Sequence, residues 1–348
     1  MQNNKLLYIL FAVLFLIILP LANVTGMTDA GTMTLWGRYL CFAIAAIGMD
    51  LIWGYTGIMS MCHAFFFCLG AYGMGMFMTI SNLPEGQAVP EFMSWNKVES
   101  LPFFWIPFRS FPSAIVSSLA VTGIFAFLFG YFIFRRRIKG VFFAIITQAF
   151  ALAMYLLFSR NETMLGGSNG LTNFRYILGF DLHSGNVKLS LYLITVLFLI
   201  VIFLLSRKLT ESKFGKALIG IRDSESRLRF TGYEVVSYRT VIFIIGALIA
   251  AVGGMLYLPQ TGIITPGRMD VKASIEMLVW VALGGRGNLK GAVIGTLAVN
   301  LLYNIFTSLM PEAWPYILGA LYLLTVLFLK NGLTGLLDMI AGKVNLKL

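Results

Sequence analysis

One carboxylate interrupts the apolar stretch SIEMLVWVALGGRGNLKGAVIG, residues 274–295. This carboxylate, Glu276, shares a helical face with Trp280 four residues later, and Lys272 lies one turn earlier on the same face. A carboxylate accepts hydrogen bonds from N–H groups, and an indole ring offers a flat surface. Charged groups are costly in hydrocarbon and are functional candidates by default, so this face is predicted to line a path for a small polar solute. The alternative is a structural ion pair of Glu276 with Lys272.

Five other polar residues in or beside apolar segments are further candidates for such a path: Asp50, His63, Gln148, Asn169 and Thr172. Gln148 suits either the path or an interhelical hydrogen bond, and for His63 a structural hydrogen bond is the preferred interpretation. Asp50 could cap the following helix or pair with a basic residue. Asn169 and Thr172, in GGSNGLTNF, could line an entrance or belong to a glycine-rich turn. The three cysteines and two histidines lack metal-ligand spacing, so no metal site is predicted.

The composition predicts helices that cross a membrane. Of the 348 residues 58% are hydrophobic and 12% charged, and the mean hydropathy is +0.84. A helix needs about 20 apolar residues to cross the hydrocarbon. The apolar runs lie at 6–24, 33–53, 60–80, 113–134, 141–158, 189–206, 239–258, 273–283, 291–309 and 316–330. We therefore predict an all-α integral membrane protein of one domain, 1–348, with about ten spans, of which the eighth is too short to cross alone.

The distribution of basic residues predicts the orientation. With the N-terminus inside, 18 of the 26 Lys and Arg fall on the inner side and 7 on the outer side. Basic residues collect in cytoplasmic loops, so the net charge of +11 indicates topology rather than nucleic-acid binding. Both termini and loop 207–238 are predicted to be cytoplasmic, and loops 82–112 and 159–187 to be periplasmic.

Small residues predict where helices pack closely. They recur at helical spacing in three apolar segments, at Ala64, Cys68, Ala71 and Gly75; at Gly246, Ala250 and Gly253; and at Gly291 and Gly295. Two glycine-flanked segments, WGYTG (53–57) and LGGRGN (283–288), are interpreted as non-helical and as corresponding parts of two distant structural repeats.

The largest inner loop contains KALIGIRDSESRLRF, residues 216–230, which has helical propensity, with polar and apolar side chains alternating along it. A short helix on the inner surface is predicted, with Gly232 as its C-terminal glycine. The chain contains no GxxxxGK[ST] phosphate-binding loop. No nucleophile with a base and no acid–base pair stands at a suitable spacing, so neither ATP hydrolysis nor another enzymatic activity is expected.

The segment GYTGIMSMCHAFFFCLGAY (54–72) resembles the GYxGxxSxGHxxFxxxGAY segment of the branched-chain amino-acid and urea class of ABC-importer permeases. The resemblance continues through FAIITQAFAL (143–152), GGSNGLTNF (166–174), IRDSESRLRFTGYEV (221–235), GGMLYLPQTGIITP (253–266) and VALGGRGNLKGAVIG (281–295). Gln148, the Glu276 segment and residues 310–337 resemble the urea-transporting members more than the amino-acid ones. Arg227 and Leu228 depart from the family's paired alanines.

This resemblance implies a type II importer permease in the bacterial inner membrane that moves urea by alternating access. The implied partners are a homologous second permease, two cytoplasmic ATPases that bind ATP and Mg, and a periplasmic binding protein; no cofactor is expected in this chain. The coupling residues implied toward the ATPase are Ile221, Arg222, Asp223, Glu225, Arg229 and Gly232. The alternatives are a permease for branched-chain amino acids or short amides, and an ATP-independent channel.

Overall fold

The computed structural model describes residues 14–26, 29–84, 86–94, 96–328 and 332–335. The α-helices are α1 (Leu19–Val24), α2 (Ala30–Thr56), α3 (His63–Ser81), α4 (Glu91–Ser94), α5 (Phe111–Arg135), α6 (Gly140–Phe158), α7 (Gly185–Glu211), α8 (Lys213–Phe230), α9 (Val235–Thr261), α10 (Val271–Gly284), α11 (Leu289–Leu309) and α12 (Trp314–Phe328). A π-helical turn, Leu14–Ile18, precedes α1. The 3-10 helices are Phe103–Arg109, Asn161–Thr163, Gly167–Asn169, Pro266–Met269 and Pro311–Ala313, and the strands Tyr176–Ile177 and Phe180–Asp181 pair antiparallel.

The helices coincide with the predicted apolar spans, and the all-α prediction is confirmed. Among the residues that the structure describes, seven helices are long and apolar enough to cross a membrane: α2, α3, α5, α6, α7, α9 and α11. Helix α10 has 14 residues and is therefore about 21 Å long, too short to cross alone, as predicted. The first half of span 6–24, the end of span 316–330 and both termini lie outside the described residues.

Helices α2, α3 and α9 form the centre of the molecule. In the apolar windows of α2 and α3, 83% and 78% of residues are buried, against 22% for α5 and 17% for α6. Helix α9 packs against α2, α3 and α5, while α2 also packs against α7 and α11. The peripheral helices α5 and α6 therefore present apolar side chains outward, as lipid or a membrane partner requires.

Contacts divide the loops into two groups, which are called the outer and the inner side after the orientation that the charge pattern predicts. On one side, Leu171 and Ile264 form an isolated β-bridge between the loops after α6 and α9. The Asn82 side-chain amide also donates to the Tyr176 carbonyl oxygen there, at 2.8 Å. On the other side, α8 contacts the end of α2 and the loop before α6 through the ion pairs and hydrogen bonds described below. The basic residues predict that this second side is cytoplasmic.

Helices α2 and α9 pack against each other in a reciprocal, antiparallel register. Each has 27 residues, and each is followed by a left-handed glycine within a Thr-Gly-Ile sequence, Gly57 and Gly262. The nineteenth residue of each helix meets the twelfth of the other, because Gly48 contacts Gly246 and Gly253 contacts Cys41. Helices α3 and α5 pack on α9 as α10 and α11 pack on α2. This arrangement is an inverted repeat, a common basis of alternating access.

The segments that correspond in this repeat are not WGYTG and LGGRGN, the pair that the sequence suggested. Residues 53–56 continue α2 as helix, and the two segments touch each other rather than being symmetry equivalents, because a Cβ on Gly54 would lie 2.5 Å from the Gly287 nitrogen. The equivalent segments are instead 56–58 and 261–263, which share the letters TGI.

A side chain at Gly48 is expected to destabilise the centre of the fold. A Cβ on Gly48 would lie 2.5 Å from the Gly246 carbonyl oxygen, which is backbone and cannot rotate away. Overpacking costs about 1–3 kcal/mol, so Gly48→Val should lower the melting temperature of the purified protein by about 5 °C. Gly31→Val, in the same helix but with nothing within 4 Å, is the matched control. Equal melting temperatures for the two variants would contradict close packing of α2 on α9.

Candidate substrate cavity and coupling site

A cavity of about 270 Å³ lies on the outer side between α2, the loop after α9, and α10, α11 and α12. Its polar lining comes from Arg38, Arg268, Asp270, Lys272, Glu276 and Asn300, and its aromatic lining from Phe42, Trp280, Tyr303 and Trp314. The short helix α10 is capped by Asp270, whose carboxylate accepts from the Val271 N–H at 2.7 Å. The short length of α10 thus places Glu276 beside a cavity rather than in lipid. The face predicted from the spacing of Lys272, Glu276 and Trp280 lines this cavity.

The Glu276 carboxylate keeps its acceptor positions free within the described part of the chain. Its interactions there are electrostatic, with Arg268 and then Lys272, and neither cation forms an ion pair with it within 4 Å. The alternative of a close Glu276–Lys272 pair is therefore not what the structure shows. Arg268 instead lies over the rings of Phe42 and Tyr257, 5.9 Å from each centroid. The cavity therefore presents an acceptor with nearby compensating charge.

Three of the other path candidates lie away from this cavity. Gln148 points outward from α6, whereas the neighbouring Thr147 is buried and its hydroxyl accepts from the Met61 N–H at 3.0 Å. Asn169 and Thr172 are exposed in the loop after α6. These three residues do not line the outer cavity with Glu276, and their place on a substrate path stays a prediction.

His63 and Asp50 are buried inside the helix bundle. The His63 Nε2 atom lies 3.0 Å from the Ala45 carbonyl oxygen, which is the structural hydrogen bond that the sequence favoured. The Asp50 Oδ1 atom accepts from the Gly287 N–H at 2.7 Å, so Asp50 holds the turn before α11 rather than capping α3. Neither residue lines the outer cavity.

Helix α8 lies on the side that the basic residues predict to be cytoplasmic. It ends before Gly232, whose φ of 87° is the left-handed conformation of a helix C-terminal glycine. It has a break that the sequence did not indicate, because Ser224 has φ −161° and ψ 87°. The break changes which side chains face outward. Ile221 is buried, while Asp223 is largely exposed and Phe230 is 92% exposed.

Glu225, directly after the break, is the centre of an ion-pair cluster. Its carboxylate lies 2.6 Å from Lys139 Nζ, 2.6 Å from Arg229 and 3.0 Å from Arg239. Burial alone would raise the pKa of Glu225, but the hydrogen bond from Lys139 and the charges of Arg239 and Arg229 hold it below its ordinary value. The cluster joins α8 to the loop before α6 and to the first turns of α9. Lys139 and Arg239 were not among the predicted coupling residues, because in the sequence they served only as basic residues that indicate the orientation in the membrane.

Arg222 forms a second connection between α8 and the membrane helices. Its Nη1 donates to the Gly54 carbonyl oxygen at 2.8 Å, and its Nε donates to Asp223 at 3.0 Å. Ile221 and Glu225 are thus largely buried against the membrane helices, and Arg222 is held by Gly54. The contact of these three residues with an ATPase stays a prediction. Asp223, Arg229 and Phe230 are among the exposed residues of this segment.

A second cavity of about 270 Å³ lies at this inner side, lined by 56–59, 138–140, Phe143, 221–225 and Arg239. The residues after α2 line it, as the residues after α9 line the outer cavity. Helix α8 contributes residues 221–225 to the lining of this second cavity.

Comparison with known proteins places this architecture in a family. The family model described as branched-chain amino acid transport system / permease component matches residues 32–327. The high-affinity branched-chain amino acid transport system permease protein LivM of Salmonella typhimurium is 23% identical over 336 residues, covering 88% of this chain and 70% of the relative. BraD of Pseudomonas aeruginosa, of the same description, is 22% identical over 302 residues, covering 84% and 91%. LivH of Escherichia coli, also of that description, is 24% identical over 307 residues, covering 84% and 91%.

No solved structure matches the chain significantly. The family match nevertheless spans every helix that forms the two cavities. The chain is therefore a multi-pass transport permease subunit, and it belongs to the family of branched-chain amino acid transport system permease components.

Proposed function

We propose that this chain is the permease subunit of an ATP-driven importer of urea in the bacterial inner membrane. The observation that carries the proposal is the free Glu276 carboxylate beside Trp280 in the outer cavity. Urea is small, planar and neutral, with four N–H donors and one carbonyl acceptor. A carboxylate with free acceptor positions and a flat aromatic ring match those two properties.

The charges around Glu276 support a neutral substrate. Arg268 and Lys272 already compensate the carboxylate electrostatically, so the ammonium group of an amino acid would compete with two cations for it. Urea needs only the hydrogen-bond acceptors that remain. The resemblance of the Glu276 segment to urea-transporting members supports the same substrate.

A branched-chain amino acid is the second candidate. The relatives' names specify branched-chain amino acids, and the cations Arg38 and Arg268 in the cavity are groups that bind a carboxylate well. The aromatic lining could hold an apolar side chain. This candidate requires Glu276 to bind the amino acid's ammonium group despite the adjacent cations.

Uptake of labelled solutes distinguishes the candidates. The gene is deleted and restored in its own organism, and initial rates of uptake of ¹⁴C-urea and ¹⁴C-leucine are compared at equal concentrations. Restoration of urea uptake alone supports the proposal, and restoration of leucine uptake alone assigns the amino acid. Uptake of urea into vesicles that hold the purified chain without any ATPase would establish an ATP-independent channel instead.

The transport mechanism follows from the two cavities. A periplasmic binding protein delivers urea to the outer cavity, two ATPases bind ATP and Mg, and their motion reaches the inner cavity through α8. A second, homologous permease completes the transporter and covers apolar outer helices of this chain. The exposed Phe230 and Asp223 are the α8 residues best placed to contact an ATPase.

A further inference from the structure

Three parts of the chain meet at the inner end of α2, in a contact that we call the inner junction. Its members are Asp50 and Gly54 of α2, Arg222 of α8, and Gly287 of the turn between α10 and α11. The Asp50 Oδ1 atom accepts from the Gly287 N–H at 2.7 Å, and the Gly54 carbonyl oxygen accepts from Arg222 Nη1 at 2.8 Å. A Cβ on Gly287 would lie 3.4 Å from both Arg222 Nη1 and the Gly54 carbonyl oxygen. Helix α8 and the α10–α11 turn therefore touch across the end of α2.

The turn is fixed to α2 through its backbone and through a side chain. Asp50, the acceptor of the backbone bond, is fully buried. The Gly54 and Gly287 backbones are in contact, because a Cβ on Gly54 would lie 2.5 Å from the Gly287 nitrogen. Arg286, the residue before Gly287, lies over the Trp53 ring at 5.5 Å from its centroid. A displacement at the end of α2 therefore reaches the turn directly.

Helix α10 connects the inner junction to the outer cavity. Its last residue is Gly284, and Glu276 lies eight residues earlier, about 12 Å along the helix. Glycines press α10 onto α11, because a Cβ on Gly284 would overlap the Gly291 carbonyl oxygen and a Cβ on Gly295 would overlap the Trp280 carbonyl oxygen. Elements packed this closely shift together rather than deform. A displacement of the turn is therefore expected to move Glu276 and Trp280.

We propose that Asp50 and Arg222 are positioning residues that link α8 to the Glu276 face of the outer cavity. This proposal rests on the ATP-driven import proposed above and adds the residues through which ATP binding reaches the substrate. Movement of α8 displaces Arg222 and the end of α2, the Gly287–Asp50 bond carries the displacement to the turn, and α10 carries it to Glu276. The coupling is reciprocal, so substrate at Glu276 also acts on the ATPases.

Asp50→Ala tests the proposal because it removes the acceptor of the Gly287 N–H. ATP hydrolysis and uptake of the solute that the wild type transports are measured together, in vesicles that hold the complete transporter. The ATP hydrolysed per solute transported should rise about tenfold, because basal hydrolysis continues while uptake falls. Loss of folded transporter would lower both rates and leave their ratio unchanged. Asp50→Asn keeps an acceptor oxygen and the side-chain shape, so its ratio should be close to that of the wild type.

Arg222→Gln breaks the inner junction from the α8 side and should raise the same ratio. The Arg222 side chain is 30% exposed, so this variant also tests the proposal if Asp50→Ala does not fold. Residues that act through one connection give non-additive effects, and the double variant should raise the ratio no more than the larger single effect. Multiplied effects in the double variant, or an unchanged ratio in Arg222→Gln, would overturn the proposal.

Thr296→Val is the matched control. Thr296 is fully buried in α11, but its hydroxyl donates to the Ala292 carbonyl oxygen of its own helix at 2.7 Å, away from the inner junction. Its ratio should equal that of the wild type, and a rise as large as that of Asp50→Ala would overturn the proposal. Wild-type uptake without any ATPase would overturn the proposed function. ATP-dependent wild-type uptake with an unchanged ratio in Asp50→Ala would overturn only this inference.

Discussion

Glu276→Ala is expected to lower the initial rate of ATP-driven urea uptake by about 100-fold. A site built around a hydrogen-bonding group loses much of its affinity when that group is removed. The substitution also leaves Arg38, Arg268 and Lys272 around the cavity with one compensating carboxylate fewer. Glu276→Gln keeps one acceptor oxygen and the side-chain shape, so a smaller loss of about tenfold is expected.

Glu312→Ala is the matched control for this prediction. Glu312 is exposed in the 3-10 helix Pro311–Ala313 and does not line the cavity. Uptake should be close to that of the wild type at equal amounts of folded protein in the membrane. Full urea uptake by Glu276→Ala would show that the carboxylate does not bind the substrate and would favour the amino-acid candidate.

Glu225→Ala is expected to uncouple the ATPases from transport. The substitution leaves three cations without their shared carboxylate, and the Arg239 side chain among them is only 11% exposed. Breaking a buried ion pair costs about 3–5 kcal/mol, and here the loss falls on the contact between α8 and the membrane helices. Substrate-stimulated ATP hydrolysis and urea uptake should both fall, by about tenfold or more.

Glu211→Ala controls for the loss of an ion pair at the inner surface. Glu211 pairs with Arg207 at 2.7 Å, but both side chains are exposed, at 63% and 47%. Exposed pairs contribute about 0–1 kcal/mol, so this variant should transport normally. Normal substrate stimulation of the ATPases in Glu225→Ala would rule out the Glu225 cluster as the mechanical connection.

The pH dependence of the Glu225 cluster follows from the sign of its pKa shift. The pKa in the folded protein is lowered, so the cluster's contribution to stability is complete above the ordinary pKa of a glutamate. That contribution is lost as the pH falls through the lowered value. Glu225 therefore stays charged between pH 6 and 8, and its ion pairs persist. We expect that the rate of substrate-stimulated ATP hydrolysis, measured across this pH range, shows no loss caused by protonation of Glu225.

The sequence was sufficient for the helices and for the face that carries Glu276 and Trp280. Crossing hydrocarbon requires a minimum length of apolar residues, so the spans can be found by length and composition. The i, i+4 spacing of Glu276 and Trp280 places both on one side of any helix. The left-handed glycine after α8 was predictable for the same local reason, since few other residues adopt that conformation.

Contacts between helices decided the rest. Gln148, like Glu276, was a candidate for the substrate path, but the packing of α6 leaves its side chain exposed. Local periodicity cannot show which side of a peripheral helix meets the protein. The break at Ser224 lies directly before Glu225, which pairs with Lys139 and Arg239, residues distant in sequence. The equivalence of the two TGI segments, 56–58 and 261–263, depends on the contact between Gly48 and Gly246, which the sequence does not show.

The sequence by itself therefore determined that this protein is a helical membrane permease with a carboxylate beside an aromatic ring, because apolar length and helical spacing are local properties. The tertiary structure alone decided that Arg38 and Trp314 line the same cavity as Glu276, and that Glu225 connects α8 to the membrane helices. Those arrangements depend on which helices pack together, and packing joins residues that the chain keeps far apart.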